Sequence, residues 1–174
     1  MEKAGSLDKG WRRLVQNPKK IFKSYLSEGM TALDVGCGPG FFTISLAEMV
    51  GKNGKVIATD IQQGMLDRVR EKIKGTDLEQ RLDLCLTPQD GLGVTEPVDF
   101  VLAFYVLHEL PDIEKFLREI KSILKPNGHL FIAEPSFHVS KKEFSKTLQL
   151  IEQVGFTVAG HPRVWFSRTV LVQG

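Results

Sequence analysis

Short, predominantly apolar runs recur along the chain at Thr31–Val35, 56–59, Leu82–Leu86 and Val98–Phe104. Such runs, without a polar residue at every second position, mark strands buried on both faces of a parallel sheet. Between them the period changes. Ile113, Phe116, Leu117, Ile120, Ile123 and Leu124 repeat about every 3.6 residues, with Lys, Glu and Arg on the opposite side, which predicts an amphipathic helix. Residues 125–128, Lys-Pro-Asn-Gly, are expected to end it, and 129–134 reads as a fifth strand. Phe144, Leu148, Ile151 and Val154 form a last helical stripe that stops at Gly155. Residues 156–160 and 164–172 then predict two strands joined around His161, Pro162 and Arg163, a connection short enough to make them antiparallel neighbours. The alternation of strands and helices predicts a doubly wound α/β sheet with right-handed crossovers. Only residues 88–97 separate strands three and four, too few for a full helix. The chain reads as a single domain over 1–174. Its first thirty residues form an amphipathic helical segment with Leu14, Val15, Ile21, Phe22 and Leu26 as contacts, and Pro18 predicts a break between two short helices. That segment either braces the domain or covers a substrate cleft.

The chemistry concentrates where strand one ends. Residues 33–40 read Leu-Asp-Val-Gly-Cys-Gly-Pro-Gly, and Asp60 closes the second strand twenty positions after Gly40. Gly36, Gly38 and Gly40 tolerate unusual backbone angles and present bare amides to a ligand. A dinucleotide fingerprint would place its third glycine at position 41, which is Phe41 here, and that argues against a pyrophosphate. A nucleoside without one would still use an acid about 20 residues on to hold its ribose hydroxyls. Asp60 fits that role.

Residues 34–40 together with Asp60 resemble motif I and the following acidic position of the class I S-adenosylmethionine-dependent methyltransferases. The resemblance continues through 98–112, through Leu-Lys-Pro-Asn-Gly at 124–128 and through Phe-Ile-Ala-Glu-Pro at 131–135, and is nearest to the small UbiE-like and arsenite-methyltransferase-like branch. It implies a Rossmann-like seven-stranded sheet, mostly parallel with one antiparallel strand at the C-terminus. S-adenosylmethionine would be the cofactor and S-adenosylhomocysteine the product. Asp34, Gly36, Cys37, Gly38, Gly40, Asp60, Ile61 and Phe104 become candidate cofactor contacts, with Asp34 organising the methionine end. The family places an acid directly after strand three; Pro88 occupies that position here, so Asp90 is the preferred adenine partner, with Gln89 as the alternative. His108, just past strand four, is the candidate general base, and Tyr105 is a second catalytic candidate; Glu134 and His138 are weaker ones.

Composition narrows the function further. A net charge of +2 does not imply a nucleic-acid partner, and the lysines at 19, 20, 23, 141, 142 and 146 read as solvated helix faces. The polar N-terminus and a longest apolar run of eight residues, 100–107, predict neither a signal peptide nor a membrane span. Two distant cysteines, Cys37 and Cys85, predict no disulfide and a reducing, cytoplasmic setting. Four histidines without ligand spacing predict no metal site. The expected activity is methyl transfer to a small molecule. A macromolecular methyltransferase and a non-catalytic S-adenosylmethionine-binding module are the alternatives, and a homodimer stays open. No residue selects the acceptor.

Overall fold

In the computed structural model, which describes residues 16–88 and 90–174, seven strands form one sheet. The strands are β1 (Thr31–Val35), β2 (Lys55–Asp60), β3 (Leu82–Leu86), β4 (Val98–Phe104), β5 (Leu124–Pro135), β6 (Thr157–Gly160) and β7 (Ser167–Gln173). They lie in the order β3-β2-β1-β4-β5-β7-β6. All neighbouring pairs from β3 to β5 are parallel, and β7 runs antiparallel to both β5 and β6. One strand is therefore reversed, as expected. The helices are α1 (Pro18–Phe22), α2 (Thr43–Met49), α3 (Gln63–Ile73), α4 (Ile113–Ile123) and α5 (Lys141–Gln153).

Alternation along each strand divides the core between two layers. On β5, Leu130 and Ile132 face α4 and α5 together with Leu33, Val101, Leu117 and Ile120. Phe131 and Ala133 face the other side, where α1 and α2 bring Phe22, Phe42 and Leu46. Phe22 is fully buried and its ring meets Phe131 at 5.2 Å, Phe100 at 5.6 Å and Phe42 at 5.7 Å. Full burial of such a side chain stabilises the fold by roughly 1.5–3 kcal/mol, so α1 acts as a brace.

Two strand boundaries needed correction, and Pro18 has a definite place. Pro18 opens α1, where Asn17 caps the helix by accepting from the Lys20 amide at 3.3 Å and proline lacks only an amide that the first turn leaves unpaired. The expected helix before that break falls on residues 1–15, outside the described ones. The helix ends at Ile123 as expected, but β5 begins at Leu124 directly after α4 rather than at 129, and so takes in residues 125–128. A register shift between Val98 and Phe100 on β4, with Asn127 at φ +65°, absorbs the extra residues as a bulge. The last strand begins at Ser167 rather than 164, because Phe166 at φ +60° cannot lie in an extended strand. No helix lies between β3 and β4 among the described residues. Leu92 fills that space instead, buried against the α4 layer, with its amide donating to Glu119 at 2.7 Å.

Candidate functional site

β1 sits at the switch point of the sheet, because successive strands run outward from it to β3 and the chain then returns to β4 on its other side. Open α/β sheets place ligands there, beyond the carboxyl ends of the strands. The glycine loop fills this position. Gly36, Gly38 and Gly40 have φ of +64°, +52° and +83°, a region side chains disfavour. Packing separates their roles. A Cβ at Gly36 would lie 2.5 Å from Val106 Cγ2, and one at Gly40 would lie 2.9 Å from Val69 Cγ2, whereas one at Gly38 would meet open space. The loop thus closes against the protein at both ends and faces outward in the middle.

Hydrogen bonds hold that shape. The Cys37 amide donates to the Thr59 carbonyl at 2.9 Å and the Gly40 amide to the Cys37 carbonyl at 3.1 Å. Lys72 of α3 reaches the Pro39 carbonyl. Asp60 accepts from the Gly38 amide through one carboxylate oxygen and from the Gln62 amide through the other, both at 2.8 Å. Asp34, buried at the end of β1, accepts from the Thr43 hydroxyl at 2.6 Å and so joins the strand to the first turn of α2. Burial, reinforced by Asp34 and Asp60, pushes the Cys37 thiol far above its ordinary range, which keeps it protonated. Cys37 is a packing residue.

A nucleoside fits this arrangement. Each Asp60 oxygen spends one lone pair on an amide and retains another for a hydroxyl. Two apolar side chains, Ile61 and Leu86, stand exposed at the ends of β2 and β3, where Asp60 pairs in register with Leu86. Together they offer apolar surface to a flat ring. Asp90 is exposed, and its carbonyl accepts from Lys115 at 3.0 Å; Gln89 lies outside the described residues. Phe104 is buried in the core layer beneath α1 and α2, its ring 4.3 Å from Phe42 and 4.5 Å from Tyr105.

The two catalytic candidates fall into different clusters. Tyr105 has φ +63°, and its hydroxyl bonds the Gln16 side-chain amide at 2.9 Å and the Ser167 hydroxyl at 2.7 Å. It belongs to the side of the sheet covered by α1 and α2. His108, on a 3₁₀ turn at Leu107–Glu109, instead meets Glu134 on the opposite side, with Nδ1 2.5 Å from Oε2. Glu134 is 2% exposed, and its other oxygen accepts from the Leu107 amide at 3.0 Å. An ionised carboxylate can only accept, so Nδ1 carries the hydrogen and Nε2 of a neutral ring is left as the acceptor. The His138 ring meets His108 edge-on at 4.9 Å, and both line a cavity of about 390 Å³ with Leu107, Ile113 and Leu150. Sequence reading missed Gln16, Thr43, Leu86 and Ser167. Among the described residues, no cluster of three or more His, Cys, Asp or Glu is placed to hold a metal, and no helix is long and apolar enough to cross a membrane.

A family model described as a methyltransferase domain matches residues 26–163. A solved SAM-dependent methyltransferase from Aquifex aeolicus superimposes with a TM-score of 0.84 at 30% identity, covering 98% of this chain and 96% of that one. The chain belongs to the S-adenosylmethionine-dependent methyltransferase family. Among curated relatives, demethylmenaquinone methyltransferase of Lactobacillus johnsonii is 39% identical over 129 residues, which is 73% of this methyltransferase and 50% of the relative. The ubiquinone/menaquinone biosynthesis C-methyltransferase UbiE of Salmonella arizonae is 29% identical over 154 residues, 86% of this methyltransferase and 59% of that protein. The methyltransferase therefore spans about half the length of the curated relatives it matches.

Proposed function

We propose that this methyltransferase methylates a small, largely apolar acceptor of the quinol class. S-adenosylmethionine, when bound, supplies a methyl group already activated by its sulfonium charge. The observation that carries the acceptor class is the wall beside β4. Phe42, Phe104 and Tyr105 follow one another there with ring centroids 4.3 and 4.5 Å apart and planes tilted by 40° and 43°, and the polar groups at their end are uncharged: the Tyr105 and Ser167 hydroxyls and the Gln16 amide. An aromatic enclosure with neutral hydrogen-bonding groups suits a ring bearing hydroxyls better than a charged metabolite. The names of the quinone-biosynthesis relatives agree with that choice.

In this reading Asp60 holds the ribose hydroxyls, Ile61 and Leu86 flank the adenine with Asp90 near its amine, and Asp34 orders the methionine end through α2. The main chain of Gly36, Cys37, Gly38 and Gly40, shaped by its own hydrogen bonds, lines the bend, and Phe104 closes it. Tyr105 orients the acceptor oxygen. Both Tyr105 and His108 follow the carboxyl end of β4, so an acceptor lying across that edge meets Tyr105 from one side and His108 from the other. His108, with its tautomer fixed by Glu134, takes up the proton that a ring hydroxyl releases as its carbon becomes nucleophilic, and the methylated carbon then gives up its own hydrogen to restore the aromatic ring. Positioning supplies most of the acceleration, since the methyl needs no further activation.

The test is to incubate the purified protein with the donor and a reduced short-chain naphthoquinone, measuring S-adenosylhomocysteine release and the mass of the product. Turnover with a methylated ring supports the reading. Tight donor binding without turnover on any quinol would replace it with the binding-module alternative. His108→Ala should lower turnover about 10²-fold near neutral pH and recover as the medium itself ionises the hydroxyl at higher pH. A parallel, pH-independent loss would remove His108 from proton transfer.

A further inference from the structure

We propose that the edge of the molecule beyond β5 and β7 seats on an anionic lipid bilayer. Three large aromatic side chains stand out from it: Phe137 at 82% exposure, Trp165 at 67% and Phe166 at 55%. They come from two separate connections, and the structure pins those connections together. The Ser136 amide and hydroxyl both donate to the Phe166 carbonyl, each at 2.9 Å. Phe166 is also held at φ +60°, a conformation unfavourable for a bulky residue. Exposing three aromatics on a strained, cross-linked pair of turns costs stability without contributing to the core, which points to a function at the surface.

Charge identifies the partner. The segments 136–147 and 160–170 that build this edge contain Lys141, Lys142, Lys146, Arg163 and Arg168 against one acid, Glu143. The edge therefore carries net +4 in a chain whose total is +2, leaving the remainder at net −2. Beside the aromatics runs a groove of about 790 Å³ with Lys141 and Arg163 on its rim and Phe144, Leu148 and Val164 in its wall. Aromatic rings settle at the headgroup level of a bilayer, and nearby cations are drawn to anionic lipids. Pairing with a second copy through the same edge would bring +4 against +4, which opposes self-association. Nucleic acid would draw on the same cations, and competition between RNA and vesicles separates the two.

The proposal is independent of the acceptor, because it is tested without substrate. The full protein should sediment with vesicles of mixed phosphatidylcholine and phosphatidylglycerol, and far less with phosphatidylcholine alone. In a Trp11→Phe background, Trp165 emission should shift to the blue on adding the mixed vesicles. Phe137→Ser combined with Trp165→Ser should weaken vesicle binding about tenfold or more. Lys141→Glu combined with Arg163→Glu should abolish the preference for phosphatidylglycerol. All four positions are exposed, and an unchanged circular dichroism spectrum checks that each variant folds. Failure of the wild type to bind mixed vesicles, or equal binding by the aromatic variant, overturns the proposal. A dimer that the aromatic variant dissolves, or RNA that displaces the vesicles at this edge, would do so too.

Discussion

Asp60 and Gly36 show how single side chains define the site. Asp60 sits where the second strand ends, and its two oxygens already order the Gly38 and Gln62 amides. Asp60→Ala should weaken donor binding by about 1.5–3 kcal/mol, roughly 10- to 150-fold in affinity by calorimetry, because charged hydrogen bonds to a ligand are lost along with the order of the loop. Gly36 is constrained twice, by φ +64° and by Val106 at 2.5 Å from a would-be Cβ. Gly36→Ala should therefore destabilise by about 1–3 kcal/mol in urea unfolding. Adding Val106→Ala should recover the contact part of that loss and leave the backbone part, a separation that a double-mutant cycle measures. The bend and its tie to Asp60 were legible in the sequence because the loop is local: seven consecutive residues from Asp34 to Gly40 and one acid at the next strand end. Thr43 and Leu86 were not. A threonine nine positions from Asp34 carries no pattern of its own, and an apolar last residue of a strand becomes informative only once its pairing with Asp60 is known.

Helices and strands here are ended by specific hydrogen bonds more than by composition. Ser140 caps α5 by accepting from the Glu143 amide at 3.2 Å, while the Glu143 carboxylate accepts from the Ser140 amide at 2.8 Å. Ser140→Ala should cost about 1 kcal/mol of stability in thermal or urea unfolding. The side-chain and backbone bonds to Ser140 hold the Glu143 carboxyl below the usual carboxylate range. A carboxylate lowered on folding contributes its stabilisation in full above its unfolded value and loses it as pH falls through the folded one. Protection of the amides at the start of α5, relative to their intrinsic exchange rates, should thus fall as the Glu143 carboxylate is protonated in acid, and in Ser140→Ala that dependence should flatten. Element types were readable from periodicity, whereas several boundaries were not. The β5 bulge and the late start of β7 depend on Asn127 and Phe166 adopting positive φ, which neither residue type signals strongly. Pro18 was legible as a boundary, and its place in the first turn of α1 follows from the amide it lacks.

Across the whole molecule, the order of strands was legible in outline because βαβ crossovers have one hand and a short connection forces antiparallel pairing. The separation of Tyr105 from His108 was hidden. It depends on the alternation of Ala133 and Glu134 across β5, and on partners 89 and 62 positions away at Gln16 and Ser167. β7 lies between β5 and β6 and supplies the antiparallel partner to each. Val170→Pro, in the fully buried centre of that strand, should cost 3 kcal/mol or more, about the penalty of a proline inside regular structure, and leave the protein insoluble on expression. The placement of β7 also has a consequence for synthesis on the ribosome. The polypeptide emerges with β6 ahead of β7, yet β6 has no other strand beside it and the β5 margin stays bare until Ser167–Gln173 leaves the exit tunnel. At a rate of roughly 5–20 residues per second, that interval leaves a sticky hydrogen-bonding margin exposed to neighbouring nascent chains, and chaperone engagement should peak within it.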